Sequence, residues 1–345
     1  MEVSLFAFLS AAAIYQHEKA RKQNQISLFS AVLFGVASLA RPEGHLLFIL
    51  AFLDIFFRNI RVLKSRVGEF LRYLGIYILF SLPYLLFSYS LTRRPFCSSY
   101  YSKMSISWTL SPVQYLAGYI WTIFLDNPVL LILAVFGLGA LLREKRYLPV
   151  LWLLGFPLAA SLKAPILIHH ARYNMPLIPL YIAAGFVGLH RFSKKALLII
   201  CLIASISFSL FGLFAWAERY SFDAASIRNQ HVRIAAWLNK NVPEGQAVAT
   251  NDIGAISYLS GRNVVDLCGI VNPNILKIMR LPIPEERRRK LIYDYLSKRN
   301  VRYMAIYRNW FPWFKEDDRI KKVYEVHIKN NTMAGSDTME VFKIQ

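Results

Sequence analysis

Up to about Trp216 the chain is a series of long apolar blocks divided by short basic stretches, and beyond that point the pattern stops. Blocks of this kind leave few choices, because an apolar run of such length goes into lipid or into a large protein core. Hydrophobic residues make up 55% of the chain, more than a water-soluble domain ordinarily needs. Two domains are therefore expected: an apolar transmembrane domain over 1–217 and an extracytoplasmic domain of ordinary soluble composition over 218–345. The boundary falls near Glu218 to Asp223.

The apolar blocks are 3–16, 26–40, 44–57, 70–90, 128–142, 147–162, 172–190 and 196–216. A spanning helix takes roughly 20 apolar residues, fewer where flanking Lys and Arg reach out to the interface. The first three blocks and 128–142 are short, and each taken alone fits an interfacial or re-entrant segment equally well. The connecting loops favour crossing. Loops 17–25, 58–66, 143–146 and 191–195 carry 13 Lys or Arg in 27 residues, against six in the 50 residues of 41–43, 91–127 and 163–172. Basic loops stay on the cytoplasmic side. The expectation is a polytopic α-helical membrane protein with about eight transmembrane helices, Met1 outside, and a C-terminal α/β domain also outside, in the cell membrane.

An outer N-terminus is unusual, and residues 1–16 have neither the basic start nor the small-residue cleavage site of a signal peptide. This predicts a chain whose beginning is missing, against the plainer reading that 3–16 lies in the interface.

After Arg228 the elements alternate. Ile234, Ala235, Trp237 and Leu238 mark one helix face, and 284–299 reads as a charged helix with Pro284 at its start. Strands are predicted at 247–249, 264–267, 303–306, 323–328 and 340–344, which together make a small α/β domain. The formal charge of +20 does not argue for nucleic acid, because in the first half the basic residues sit between apolar blocks, where topology accounts for them. The run Arg287–Lys290 is either a solvated helix face or a contact for anionic headgroups or glycans. Cys97, Cys201 and Cys268 form no CxxC pair and no zinc spacing, so no metal site is expected from them.

Charges beside a hydrocarbon layer are costly and mark candidate sites. Arg41-Pro42-Glu43-Gly44 lies between two apolar blocks; Arg41 and Glu43 either pair in a tight outer turn or line an outer cavity. His169-His170-Ala171-Arg172-Tyr173 precedes Pro176 and Pro179. Adjacent histidines point to different helix faces and do not share a metal. The Arg172 fork suits a phosphate or carboxylate, and Tyr173 suits a sugar ring or an interfacial aromatic belt. Lys103 stands among aromatic residues in Ser99–Lys103. Of the seven acids in the first 217 residues, Glu2, Glu43 and Asp126 fall outside; Asp252 and Asp266 are the leading carboxylates of the second domain.

Several of these stretches, in their order, resemble the GT-C class of membrane glycosyltransferases, in its branch related to bacterial protein mannosyltransferases and mycobacterial arabinosyltransferases. They are Met1-Glu2 with Leu5–Leu9, Leu39–Gly44, Tyr100–Lys103, and Arg172-Tyr173 with Pro176 and Pro179. Asn251–Ala255 with Tyr258, and Val265-Asp266-Leu267 before Gly269, extend the resemblance over nearly the whole chain.

The resemblance implies transfer of a sugar from a polyprenyl-phosphate donor to a glycan or protein acceptor outside the cell, with inversion. Arg172 and Lys103 would hold the donor phosphate, while Arg41, Glu43, His170 and Tyr173 would line the cavity. Asn251, Asp252 and Asp266 would face the acceptor. The partners implied are the lipid-linked sugar, membrane lipid and the acceptor, and not nucleic acid. No cofactor is evident, and the question of a divalent metal stays open. The class places its catalytic aspartate upstream of the stretch matched by Met1–Leu9, so a fragment lacking the usual base is expected. Two rivals stand beside this reading: a non-catalytic protein that binds a lipid-linked glycan or a partner through its outer domain, and a transporter. No internal repeat supports the transporter.

Overall fold

The computed structural model describes residues 2–60, 63–103, 110–163, 165–167, 171–192, 194–314 and 317–345. The chain divides into two compact units. The first is Met1–Phe96 with Ser107–Leu213, and the second is Cys97–Ile106 with Phe214–Gln345. The sequence places a domain boundary near 217; the second unit starts a few residues earlier and also takes in the stretch from Cys97.

The first unit contains α1 (Glu2–Lys22), α2 (Leu28–Ala40), α3 (Glu43–Asn59) and α4 (Leu63–Thr92). Beyond the segment that carries α5 (Ser98–Lys103) come α6 (Pro112–Asp126), α7 (Pro128–Arg143), α8 (Tyr147–Lys163), α9 (Ile178–Leu189) and the start of α10 (Lys195–Ile227). Local sequence sets the helix starts. Ser27 accepts a hydrogen bond from the Ser30 amide at the start of α2. Ser111 and Gln114 form a capping box ahead of Pro112. The core gathers Phe6, Ile14, Phe34, Leu47, Phe48, Tyr73, Trp152 and Phe156.

The eight-span expectation is not what the fold contains. Among the described residues, two helices are long and apolar enough to cross a membrane: Lys64–Thr92 and the continuous run Lys195–Asn241. A third is present if α6 and α7, bent by 117° at their junction, are one broken span. The remaining apolar blocks form shorter helices. At 1.5 Å per residue the 13 residues of α2 reach about 20 Å, short of a hydrocarbon core of about 30 Å. α1 has 21 residues, but its end carries His17, Glu18, Lys19, Arg21 and Lys22. The alternation of loop sides required all eight blocks to cross, so the sidedness inferred for Met1 falls with the count. The chain is nevertheless membrane-associated. None of the apolar window of Lys195–Asn241 is buried against protein, and Ile200, Ile203, Phe211 and Phe214 stand exposed along it.

Small residues allow α7 and α9 to touch backbone to backbone. A Cβ on Gly188 would lie 1.9 Å from the Leu133 carbonyl oxygen, and one on Gly137 would lie 1.8 Å from that of Ala184. At the α6–α7 bend Asn127 caps α7, accepting from the Leu130 amide at 2.9 Å. Its Nδ2 donates to the Ser205 carbonyl and to the hydroxyls of Ser205 and Ser209 on α10. The break in the helix therefore has polar partners, as a break in an apolar setting must.

Two acids are buried in this unit. Asp54 on α3 meets His17 of α1 at 2.8 Å and Arg58 at 3.3 Å, with Asp54 and His17 both buried. Glu18 pairs with Arg21 and Arg146 at 3.0 and 2.9 Å. Each carboxylate joins elements far apart in sequence, so spacing along the chain could not reveal them.

In the second unit α10 continues through a π-helical turn, Arg228–Val232, into α11 (Arg233–Asn241). A five-stranded mixed sheet follows, in the order β2-β1-β3-β5-β4. β1 (Ala247–Thr250), β2 (Val264–Asp266) and β3 (Val301–Ile306) are parallel; β4 (Ile320–His327) and β5 (Thr338–Ile344) run antiparallel. α12 (Ala255–Ser260) links β1 to β2, and α13 (Pro273–Met279) and α14 (Glu285–Ser297) lead from β2 to β3. Alternate strand residues serve the two faces. Ala247, Ala249, Met304 and Ile306 pack with Ile292 and Leu296 of α14, whereas Val248 and Ala305 pack with Ile234, Leu238 and Ile256 of α11 and α12. α5 belongs to this unit: Ser102 donates to the Cys268 carbonyl, and Arg280 donates to that of Tyr101.

Gly188→Ala is expected to lower the thermal stability of the detergent-solubilised protein, because its Cβ has no room. Gly139→Ala, where nothing lies within 4 Å, should leave stability unchanged or raise it by up to about 1 kcal/mol. The two melting curves check this.

Candidate functional site

The turn between α2 and α3 brings Arg41 and Glu43 together. Arg41 is 6% exposed, and its guanidinium donates to both carboxylate oxygens of Glu43, through Nε at 3.2 Å and through Nη2. A planar fork fits a carboxylate in this two-point manner. Its Nη1 is buried with no hydrogen-bond partner. Gly44 makes the turn possible, since a Cβ there would lie 2.5 Å from the Ser38 nitrogen.

The guanidinium lies over two aromatic rings, Phe6 of α1 at 5.9 Å and Tyr173 at 5.4 Å. Arg172 lies over the same Tyr173 ring at 5.2 Å and donates to its hydroxyl at 3.3 Å. Ala171 has φ of 52°, in the left-handed region, directly before Arg172. Asn174 is buried, accepts from the Tyr115 hydroxyl at 2.9 Å, and keeps a buried Nδ2 with no partner. Arg41, Glu43, Arg172 and Tyr173 thus meet around one ring, although 129 residues separate Glu43 from Arg172. Two cations and one anion leave the cluster net positive, with an aromatic wall and an unused buried donor. That composition suits a phosphate or carboxylate. Among the described residues no carboxylate pairs with Arg172. The side chain of Lys103, and His169 and His170 altogether, lie outside the described residues. Asn174 and Tyr115 escaped the sequence reading because an uncharged Asn after a Tyr gives no signal until the fold buries it.

The second unit gathers a different set at the carboxyl ends of its parallel strands. Asn251 follows β1, and its Oδ1 accepts from the Tyr307 amide at 3.0 Å. Asp252 Oδ2 lies 2.9 Å from His231 Nε2. The Tyr307 oxygen lies at the same distance from that nitrogen, and its O–H donates to Gln230 Oε1 at 2.9 Å. Gln230 in turn donates to the carbonyls of Ser336 and Asp337. Burial, together with the nearby charge of Asp252, raises the Tyr307 hydroxyl above its ordinary pKa. His231, Gln230 and Tyr307 were not singled out from the sequence. Gln230 and His231 sit on the π turn, and both are buried.

Asp266, at the end of β2, has another role. It is 1% exposed, and its oxygens accept from the Cys268 and Val271 amides at 2.8 Å each. Burial pushes this carboxyl above the usual range, while hydrogen bonds from the 268–271 amides draw it partly back. The side chain holds its own loop rather than facing solvent. The Cys268 thiol beside it is pushed up to about 12 by burial and by the neighbouring carboxylates. Among the described residues no group of three His, Cys, Asp or Glu could hold a metal ion.

Comparison with known proteins adds one finding. A domain of unknown function (DUF8728) matches residues 224–342, which cover most of the second unit. No curated protein and no solved structure matches the chain.

Glu43→Ala leaves the buried Arg41 guanidinium without its anion and should cost about 3 kcal/mol, read as a lower midpoint in thermal unfolding in detergent. Asp266 gives a pH-dependent test. Its native carboxyl binds a proton more tightly than the unfolded one, so its contribution is complete below the unfolded value of about 3.9 and fades as pH rises through the raised native value. Denaturation followed by tryptophan fluorescence should show the difference between wild type and Asp266→Ala shrinking as pH rises.

Proposed function

We propose that this protein handles a polyprenyl-phosphate sugar at the membrane, as a glycosyltransferase of the GT-C kind. The observation that carries this reading is the Arg41–Tyr173–Arg172 cluster: two guanidinium groups on one ring, one of them buried with an unpartnered Nη1. A lipid-linked sugar phosphate needs cationic forks for its phosphate and aromatic surface for its sugar, beside a lipid-facing apolar body. The first unit offers all three.

In the proposed reaction the acceptor hydroxyl attacks the anomeric carbon and loses its proton. The bond from that carbon to the phosphate oxygen breaks, and the polyprenyl phosphate leaves with the electron pair. Arg172 and Arg41 stabilise the negative charge gathering on the leaving phosphate. Glu43, held by Arg41, orients that guanidinium. The protein sits in the cell membrane through more than one pass, with the second unit on the extracytoplasmic side, where the acceptor lies.

One observation favours a second reading. Glu43 is the carboxylate of this cluster and is already engaged by Arg41, which makes it a poor base. The alternative is a non-catalytic protein that binds a lipid-linked glycan.

Both readings require phosphate binding. The full chain in lipid nanodiscs should bind decaprenyl phosphate, and Arg172→Ala should weaken that binding roughly tenfold, the loss of one charge-assisted hydrogen bond. Native mass spectrometry or a fluorescence titration reads it. Equal binding by the variant sinks the site. Transfer of radiolabelled sugar from a decaprenyl-phosphate donor separates the readings, since release of the label to an acceptor requires the enzyme.

A further inference from the structure

The basic run Arg287–Lys290 divides into two pairs. Arg288 and Arg289 serve their own unit. Arg288 donates to the Leu281 carbonyl at 2.9 Å and lies over the Trp313 ring, and Arg289 pairs with Asp317 at 3.6 Å. Arg287 and Lys290 are exposed, and three residues apart they are neighbours on one side of α14. Lys277 on α13 is exposed as well. Among the described residues none of these three cations meets a carboxylate.

The surrounding stretch is basic overall. Residues 268–290 hold six Lys or Arg and two acids, Glu285 and Glu286, which sit in the first turn of α14, where the helix dipole favours them. α5 holds the two loops of this stretch together. Ser102 donates to the Cys268 carbonyl after β2, and Arg280 at the end of α13 donates to that of Tyr101. Close along the chain to these contacts stand Val271 and Leu281, 64% and 41% exposed. Exposed apolar side chains interspersed with unpaired cations are the composition of a surface that lies on a bilayer.

The path of the chain puts lipid near this surface. α10 continues unbroken from its apolar window into the second unit. It arrives at the carboxyl edge of the parallel strands, because Gln230 and His231, on the π turn, bond Tyr307 just past β3. α13 follows the carboxyl end of β2, and α14 begins at that same edge before running back to the amino end of β3. Tyr220 and Phe222 are exposed between the apolar window and the π turn, and aromatic side chains so placed mark a membrane interface. From Phe222 to Arg228 the helix rises only about 9 Å. A Lys or Arg side chain and the headgroup layer together bridge that gap.

We propose that the α13–α14 side of the second unit docks on anionic phospholipid headgroups, with Lys277, Arg287 and Lys290 on the phosphates and Val271 and Leu281 in the interface. This is independent of the glycosyl-transfer reading and assigns no ligand to the Arg41–Arg172 cluster.

The test is hydrogen–deuterium exchange, read by mass spectrometry, on the full chain in phosphatidylcholine nanodiscs with and without phosphatidylglycerol. Amides of 268–284 in the wild type should exchange more slowly when phosphatidylglycerol is present, and added salt should remove the difference. Each basic side chain close to an anionic surface favours the docked state roughly fivefold, so Lys277→Gln, Arg287→Gln and Lys290→Gln combined should shift docking roughly a hundredfold and abolish the slowing. Lys240→Gln, Lys298→Gln and Arg302→Gln combined remove three exposed cations at the amino edge and should leave the slowing in place. Circular dichroism confirms that both variants are folded. Equal exchange of the wild type in the two lipids, or undiminished slowing in the first variant, overturns the proposal. Slowing of the same amides by heparin in phosphatidylcholine, but not by phosphatidylglycerol, also overturns it and assigns the surface to an anionic glycan.

Discussion

The structure depends first on a helix that protein does not cover. No residue in the apolar window of the run Lys195–Asn241 is buried. Roughly 25 cal/mol for each Å² of exposed apolar surface makes such a helix untenable in water. It needs lipid, and lipid then dictates what the rest of the first unit can do with its polar groups.

Those groups are handled in two ways. Some are paired off: Asn127 gives the break between α6 and α7 its partners on α10, and Asp54 meets His17 and Arg58. Others are left with capacity in hand. Arg41 has a buried Nη1 and Asn174 a buried Nδ2, neither with a partner. Buried donors without acceptors are expensive, and in this cluster two of them accompany a net positive charge, whereas Asp54 and Glu18 are carboxylates already facing cationic partners.

The second unit obeys a different solvent. Its sheet is covered on both faces, and its polar groups concentrate where the parallel strands end. There Asp252 and Asp266 show how position separates two similar carboxylates. Asp266 is enclosed by the amides of its own loop and serves the fold, while Asp252 is held by His231 and turned outward.

Sequence alone determined the two-part division, the need for lipid, and the strands of the second unit, because each rests on local composition and on periods of two or about 3.6 residues. It also picked out Arg41, Glu43, Arg172 and Tyr173, since charges among apolar residues are conspicuous in any fold. The number of crossings was not legible in this way. Loop charge says which side a loop favours only if every block crosses, and helix length, not block count, decides that. Only the tertiary structure brought Arg41 and Arg172 onto one ring, sank Asp54 beside His17, and buried His231 on the π turn. Those are long-range contacts and a local register change. Chain spacing encodes neither, because both are decided by which helices and strands pack together.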